Sequence, residues 1–343
     1  MMRGAVLGLT IAVGVLIPLA RGGHELPIYP SFYPHEIRIE TIDAGAAGTA
    51  LADGTLHAFV GESPIFADTP PATVRAVESL GGFVIVTLPV ASGGGDDCTA
   101  LRGAARAAAA RTGVVAHPYP VTPFHADYLQ HADLAQAAAQ QVRSASPRPD
   151  AHIETVEAAA LVADDLVGFA GWTGPPWIKS GWWQAWRLLG DVLDPARRQP
   201  AQEIVERLQT RDYAAGEDRL NLERELVRLL TGQCRRMVAG YTLRREYFNA
   251  EYSAGIENIA FDSLSGLESP AFLRTVKLKD FPWNGWLRLG IAQEPGAAWN
   301  PVAGFTDPFG RLLWSALGDP AAFPEPYGDG WFLNRVADVR PAQ

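Results

Sequence analysis

Residues 117–133 concentrate the side chains best suited to chemistry: His117-Pro-Tyr-Pro-Val-Thr-Pro-Phe-His125-Ala-Asp127-Tyr-Leu-Gln-His131-Ala-Asp133. Imidazoles grouped with a carboxylate are the donor set of zinc, copper and iron sites. A helix beginning near Phe124 sets Asp127 and His131 four residues apart on one face. His125 lies just before them, and the extended Pro segment can return His117 to the group. His117, His125, Asp127 and His131 are therefore the candidate ligands of a transition metal (copper, zinc or iron). The spacing matches no compact metal signature. A structural reading competes with it: the histidines bond backbone around a Pro-rich turn, while Thr122 and Asp127 cap a helix.

Three further groups could do chemistry. The stretch Gly171-Trp-Thr-Gly-Pro-Pro-Trp-Ile-Lys-Ser-Gly-Trp-Trp-Gln-Ala-Trp186 offers indole faces. Trp182, Trp183 and Trp186 at helical spacing read first as core. They could instead stack a sugar or flat ligand, with Trp177 among the contacts, or meet a membrane interface. Arg244 or Arg245 could hold an anion through a bidentate contact, although salt bridging is the default for this charged run. A di-iron bundle needs Glu-x-x-His pairs, and no histidine follows His152. Cleavage beside Gly22 would leave His24 near a new terminus, where a free amine and imidazole could chelate copper(II).

These groups need a scaffold, and composition divides the chain. All seven histidines lie in the first 152 residues and all ten tryptophans after residue 171. The expected organisation is a signal segment 1–22, an α/β domain 23–145, a polar, Pro-containing linker 146–155 and a mainly helical, aromatic-rich domain 156–343. In the first half, Ile37–Ile42 alternates as a strand does, Ala44–Ala52 and Thr99–Arg111 read as Ala-rich helices, and Thr55–Val60 as a second strand. Phe83–Val90 is a continuous apolar strand, and Val114–Ala116 a short one. Thr73–Leu80 reads as a helix stopped by Gly81-Gly82. Strand–helix alternation implies a mainly parallel sheet. In the second half, Gln202–Gln209, Glu217–Leu230 and Cys234–Asn249 read as helices, followed by Trp- and Pro-rich loops. The fold class is thus an α/β N-terminal half with a mainly parallel sheet plus a mainly α-helical, Trp/Pro-rich C-terminal half.

The N-terminus carries Arg3, an apolar run from Ala5 to Ala20 and small residues after it, the pattern of a secretory signal. The run is shorter than the roughly 20 residues a spanning helix takes, and no later stretch is long enough without charge. The expectation is an exported, soluble, periplasmic protein. In an oxidising compartment Cys98 and Cys234 suggest one disulfide, with two buried thiols as the alternative. A hydrophobic content of 48% is that of a globular chain, and a formal net charge of −9 without a basic patch argues against nucleic acid. No Gly-x-Ser-x-Gly elbow, phosphate loop or His-Glu-x-x-His motif occurs.

Residues 25–61 resemble the opening of a type II periplasmic solute-binding protein of the phosphonate-binding kind. Glu25-Leu-Pro-Ile-Tyr-Pro-Ser-Phe-Tyr-Pro34 is similar to the first strand and its turn. Ile37–Ile42 with Ala50-Leu-Ala-Asp-Gly-Thr-Leu-His-Ala-Phe-Val-Gly61 is similar to the steps that follow. The resemblance implies a ligand cleft between two lobes and places Ser31, Tyr33 and Gly61 near it. The second half departs from that pattern.

Together these readings favour a periplasmic small-ligand-binding or accessory protein. The alternative is a metal-dependent periplasmic enzyme, or a subunit of an envelope redox complex, built on the histidine cluster. The partners expected are a small-molecule ligand or an envelope protein complex.

Overall fold

The computed structural model describes residues 32–89, 96–148, 150–168, 175–280, 285–296, 307–318 and 320–338. Its centre is a seven-stranded mixed sheet. Strands β1 (Glu36–Thr41), β2 (Ala58–Val60), β3 (Val74–Thr87), β4 (Val115–Ala116), β5 (His152–Glu157), β6 (Arg236–Asn249) and β9 (Trp286–Ile291) build it in the order β1-β9-β2-β6-β3-β5, with β4 on β6. Two small hairpins, β7 (Ile256–Glu257) with β8 (Lys277–Leu278) and β10 (Ala322–Pro324) with β11 (Trp331–Leu333), stand apart from it.

The mixed α/β content agrees with expectation, but strand direction does not. Among the described residues, pairing is parallel only where β9 meets β1 and β2; the pairings β2–β6, β3–β6, β3–β5 and β4–β6 are antiparallel. Two segments expected to be helical are its longest strands. Val74, Val77 and Leu80 repeat at a helical interval, yet the segment Thr73–Leu80 lies largely within β3. Gly81-Gly82 is a break in register, not a helix stop. A Cβ on Gly82 would lie 2.6 Å from the Val156 carbonyl oxygen, so glycine lets β5 close against β3. The segment Cys234–Asn249 is rich in helix formers but runs as β6, paired along its length with β3, because burial in mid-sheet outweighs weak propensity. The second half is therefore not mainly helical: it supplies β6 and β9 to the sheet begun by the first. The expected linker 146–155 runs into β5, and one core joins Phe83 and Ile85 to Leu226 and Val238 across it.

Helices cover both faces. Leu80, Phe83 and Ile85 of β3 point into a core shared with α5 (Gly181–Leu189), α6 (Pro195–Thr210) and α7 (Gly216–Thr231). Val84 and Val86 point the other way, against Leu101, Ala104, Ala105 and Ala108 of α2 (Asp96–Ala109). Strands β2 and β9 are sandwiched between α1 (Ala44–Ala52) and the pair α8 (Pro270–Thr275) and α9 (Pro308–Leu317). Helix α3 (Tyr128–Ser144) reaches both cores, through Ala135 and Val142, and α4 (Ala158–Gly168) follows β5. Cys98 of α2 and Cys234, between α7 and β6, form a disulfide with Cα atoms 4.6 Å apart. Among the described residues, no helix is long and apolar enough to cross a membrane.

Candidate metal centre

The site lies where the first turn of α3 meets α7. Asp127 immediately precedes α3, the position where aspartate normally accepts a backbone N–H. Asp43 and Asp194 do so at the starts of α1 and α6, but Asp127 makes no capping bond. Both of its carboxylate oxygens are buried and lack a hydrogen-bond partner. One turn on, His131 is 0% exposed, and its Nε2, also unpartnered, faces Asp127 Oδ2 at 3.8 Å. From α7 comes Glu223, 2% exposed. One donor atom from each of the three falls within 4.8 Å of the others.

Two arginines of α7 order the surroundings of these side chains. The Arg224 guanidinium grips Asp133 with two bonds of 2.9 and 2.7 Å and also donates to the Gln130 carbonyl, locking α7 to α3 beside Asp127 and His131. That contact holds the Asp133 carboxyl down at about 2. Arg219, one turn before Glu223, donates to Glu223 Oε1 at 2.6 Å and to the Asp329 carboxylate. Burial pushes Glu223 up to about 7, with Arg219 opposing the shift and the Asp127 charge adding to it. Burial lowers His131, and Asp127 opposes that. Behind the ring, His131 Nδ1 is 2.9 Å from Tyr119 Oη.

Asp127 and Glu223 border a cavity of about 330 Å³ whose lining also includes Gln130, Lys179, Arg219 and Tyr327, while His131 lies behind it. The cations are already engaged: Lys179 pairs with Asp262, and Arg219 with Glu223 and Asp329. Burying a carboxylate without a partner costs several kcal/mol. Two carboxylates and a neutral imidazole fit a borderline divalent ion of the zinc class, and three protein donors leave coordination positions toward the cavity.

Of the four expected ligands, the structure brings Asp127 and His131 together and gives the other two different work. His125 Nδ1 accepts from the Thr122 N–H at 2.9 Å, and its Nε2 lies 3.0 Å from Gln184 Oε1, so both nitrogens are used. His117 Nε2 donates to the Val121 carbonyl at 2.9 Å, while its ring packs against Tyr119, Tyr128 and Tyr241. The backbone-bonding reading of the Pro-rich turn thus describes these two histidines.

The expected ligand contacts do not converge. Ser31 lies outside the described residues. Tyr33 precedes β1 under the Lys277 ammonium, whereas Gly61 follows β2, at the opposite end of parallel strands. The Gly61 N–H donates to the buried Glu246 carboxylate at 2.7 Å. Trp177 packs on Trp182 and Trp183, both buried in the core. Arg244 bonds Ser79 Oγ and the Leu264 carbonyl and faces Glu268 at 3.8 Å; Arg245 pairs with Glu78. The segment 1–22 with Gly23-His24, and Trp172, also lie outside the described residues.

Spacing within 117–133 does not bring Glu223 among the candidate ligands. Its position gave a signal: it shares the stripe Leu222, Leu226, Val227 and Leu230. An acid in an apolar stripe is buried and must find a partner. No protein-family model and no curated protein matches this chain.

Proposed function

We propose that this chain is an exported protein that holds one divalent transition metal of the zinc class on Asp127, His131 and Glu223 and presents it to a small ligand in the adjoining cavity. One observation carries the reading: three buried donor atoms, both Asp127 carboxylate oxygens and His131 Nε2, lie beside Glu223 with no hydrogen-bond partner. A bound ion supplies Lewis acidity to an oxygen entering from the cavity. The chain's own part is to orient the imidazole through Tyr119, fix Glu223 through Arg219 and keep α3 against α7 through Arg224. Export rests on the N-terminal charge, apolar run and small residues, and the Cys98–Cys234 disulfide suits an oxidising compartment.

The test is elemental analysis of protein purified from the periplasm without a metal-affinity tag, then dialysed. About one equivalent of zinc, copper or iron per chain is expected, falling to background in Asp127→Asn and in His131→Ala. A metal-free wild type whose melting temperature does not rise with added zinc would overturn the reading.

A further inference from the structure

Beside the metal cavity lies a second one of about 590 Å³, and the two share Phe124, Ser263 and Tyr327 in their walls. Their chemistry differs. The first holds the carboxylates and paired cations. The second is walled mainly by Val77, Pro123, Phe124, Phe261 and Tyr327, with Glu78, which pairs with Arg245, and Ser263 also in its lining. Phe261 and Tyr327 meet edge to face, with ring centres 5.6 Å apart at 86°, and Tyr327 remains 52% exposed. Phe124 is fixed from behind by Tyr241, edge to face at 5.8 Å. His125 also borders this cavity, but both its nitrogens are engaged.

We infer that the ligand is a small molecule with an oxygen-donor head on the metal and a flat apolar body in the second cavity, between Phe124, Phe261 and Tyr327. The inference rests on the metal reading above. The head meets the ion and not a side chain, because Lys179 and Arg219 are committed to Asp262, Glu223 and Asp329. The body is flat because the second cavity offers fixed ring faces and edges, which favour stacked or edge-on aromatic contacts. Phe124, Ser263 and Tyr327 border both cavities, so a ligand lying along them has its head in the first and its body in the second.

The experiment titrates the zinc-loaded protein with benzohydroxamate and acetohydroxamate by calorimetry. The two probes share a chelating head and differ in the ring. The expected result is benzohydroxamate binding about tenfold or more tightly than acetohydroxamate, as burial of one ring gives. That advantage should disappear in Phe261→Ala and in Tyr327→Ala, with zinc content unchanged in both and acetohydroxamate affinity unchanged in Phe261→Ala, whose ring lines the second cavity and not the first. Tyr327→Ala alters an exposed position and keeps the test open if Phe261→Ala fails to fold. Equal affinity of the two probes, an advantage that survives both variants, or zinc uptake without binding of either probe would overturn the inference and leave the metal reading standing. Failure of the wild type to take up zinc would overturn both.

Discussion

Tyr119 Oη and His131 Nδ1, 2.9 Å apart, decide between them which nitrogen of the imidazole faces Asp127. His131 Nε2 can coordinate only if Nδ1 carries the proton and donates it to Tyr119 Oη. Tyr119 is itself buried, and burial pushes its hydroxyl well above the usual phenol range, so it stays neutral and able to accept. Tyr119→Phe removes the acceptor and keeps the ring. Zinc affinity should fall about 10–100-fold with stoichiometry unchanged. Competition against a chromophoric chelator measures this, and unaltered affinity would show that Tyr119 does not position His131.

The Cys98–Cys234 disulfide closes a loop of large sequence separation, 136 residues, between α2 and the entry to β6. Cross-linking so distant a pair restricts the unfolded chain strongly. The double variant Cys98→Ser/Cys234→Ser should lose about 3–5 kcal/mol of unfolding free energy. Urea titration under non-reducing conditions is the check. A loss below about 1 kcal/mol would mean that the unfolded ensemble already keeps these elements together.

The sequence was most legible where one element explains its own residues. Ala44–Ala52 ends in no competing pattern and is α1, and Glu217–Leu230 carries a leucine stripe and is α7. It was least legible where a neighbour decides. Nothing local to Arg236–Asn249 announces that β3 will pair with it along its length, and nothing beside Gly82 announces the approach of Val156. The site divides the same way. Asp127 and His131 are four apart and could be paired from spacing alone. Glu223 reaches them from 92 residues beyond His131 through helix packing, a distance across which periodicity says nothing. His117 and His125 share the composition of a ligand, but the turn that engages them is visible only in three dimensions.

His57 should make the fold acid-sensitive. Its Nδ1 accepts from the Arg288 N–H at 3.0 Å between β2 and β9. Burial, helped by the Arg288 charge, lowers it from 6.5 to about 4. Between those values the unfolded chain binds the extra proton, so this contribution is complete above pH 6.5 and is lost as pH falls through 4. The loss is about 3 kcal/mol for a shift of that size. His57→Asn should therefore lie furthest below wild type at neutral pH, with the gap closing toward pH 4. Paired denaturant titrations across that range measure it, and a gap independent of pH would refute the assignment.

Gly266 should be among the least replaceable positions in the chain. Glu246 is a fully buried carboxylate, held by the Gly61 N–H at 2.7 Å and the Leu267 N–H at 2.6 Å. A Cβ on Gly266 would stand 1.7 Å from Glu246 Oε2, and its φ of +63° is left-handed, where an L side chain is strained. Gly266→Ala must therefore either expel the carboxylate from its two donors or move the loop. Both leave buried polar groups unpaired, at a cost of about 3 kcal/mol or more. Glu246→Gln keeps the volume and one acceptor oxygen, and its cost should be smaller, about 1–3 kcal/mol. Thermal unfolding of the two variants side by side tests the order. If Gly266→Ala is the milder change, the loop can shift without loss, and the close contact between Gly266 and Glu246 is not what excludes a side chain there.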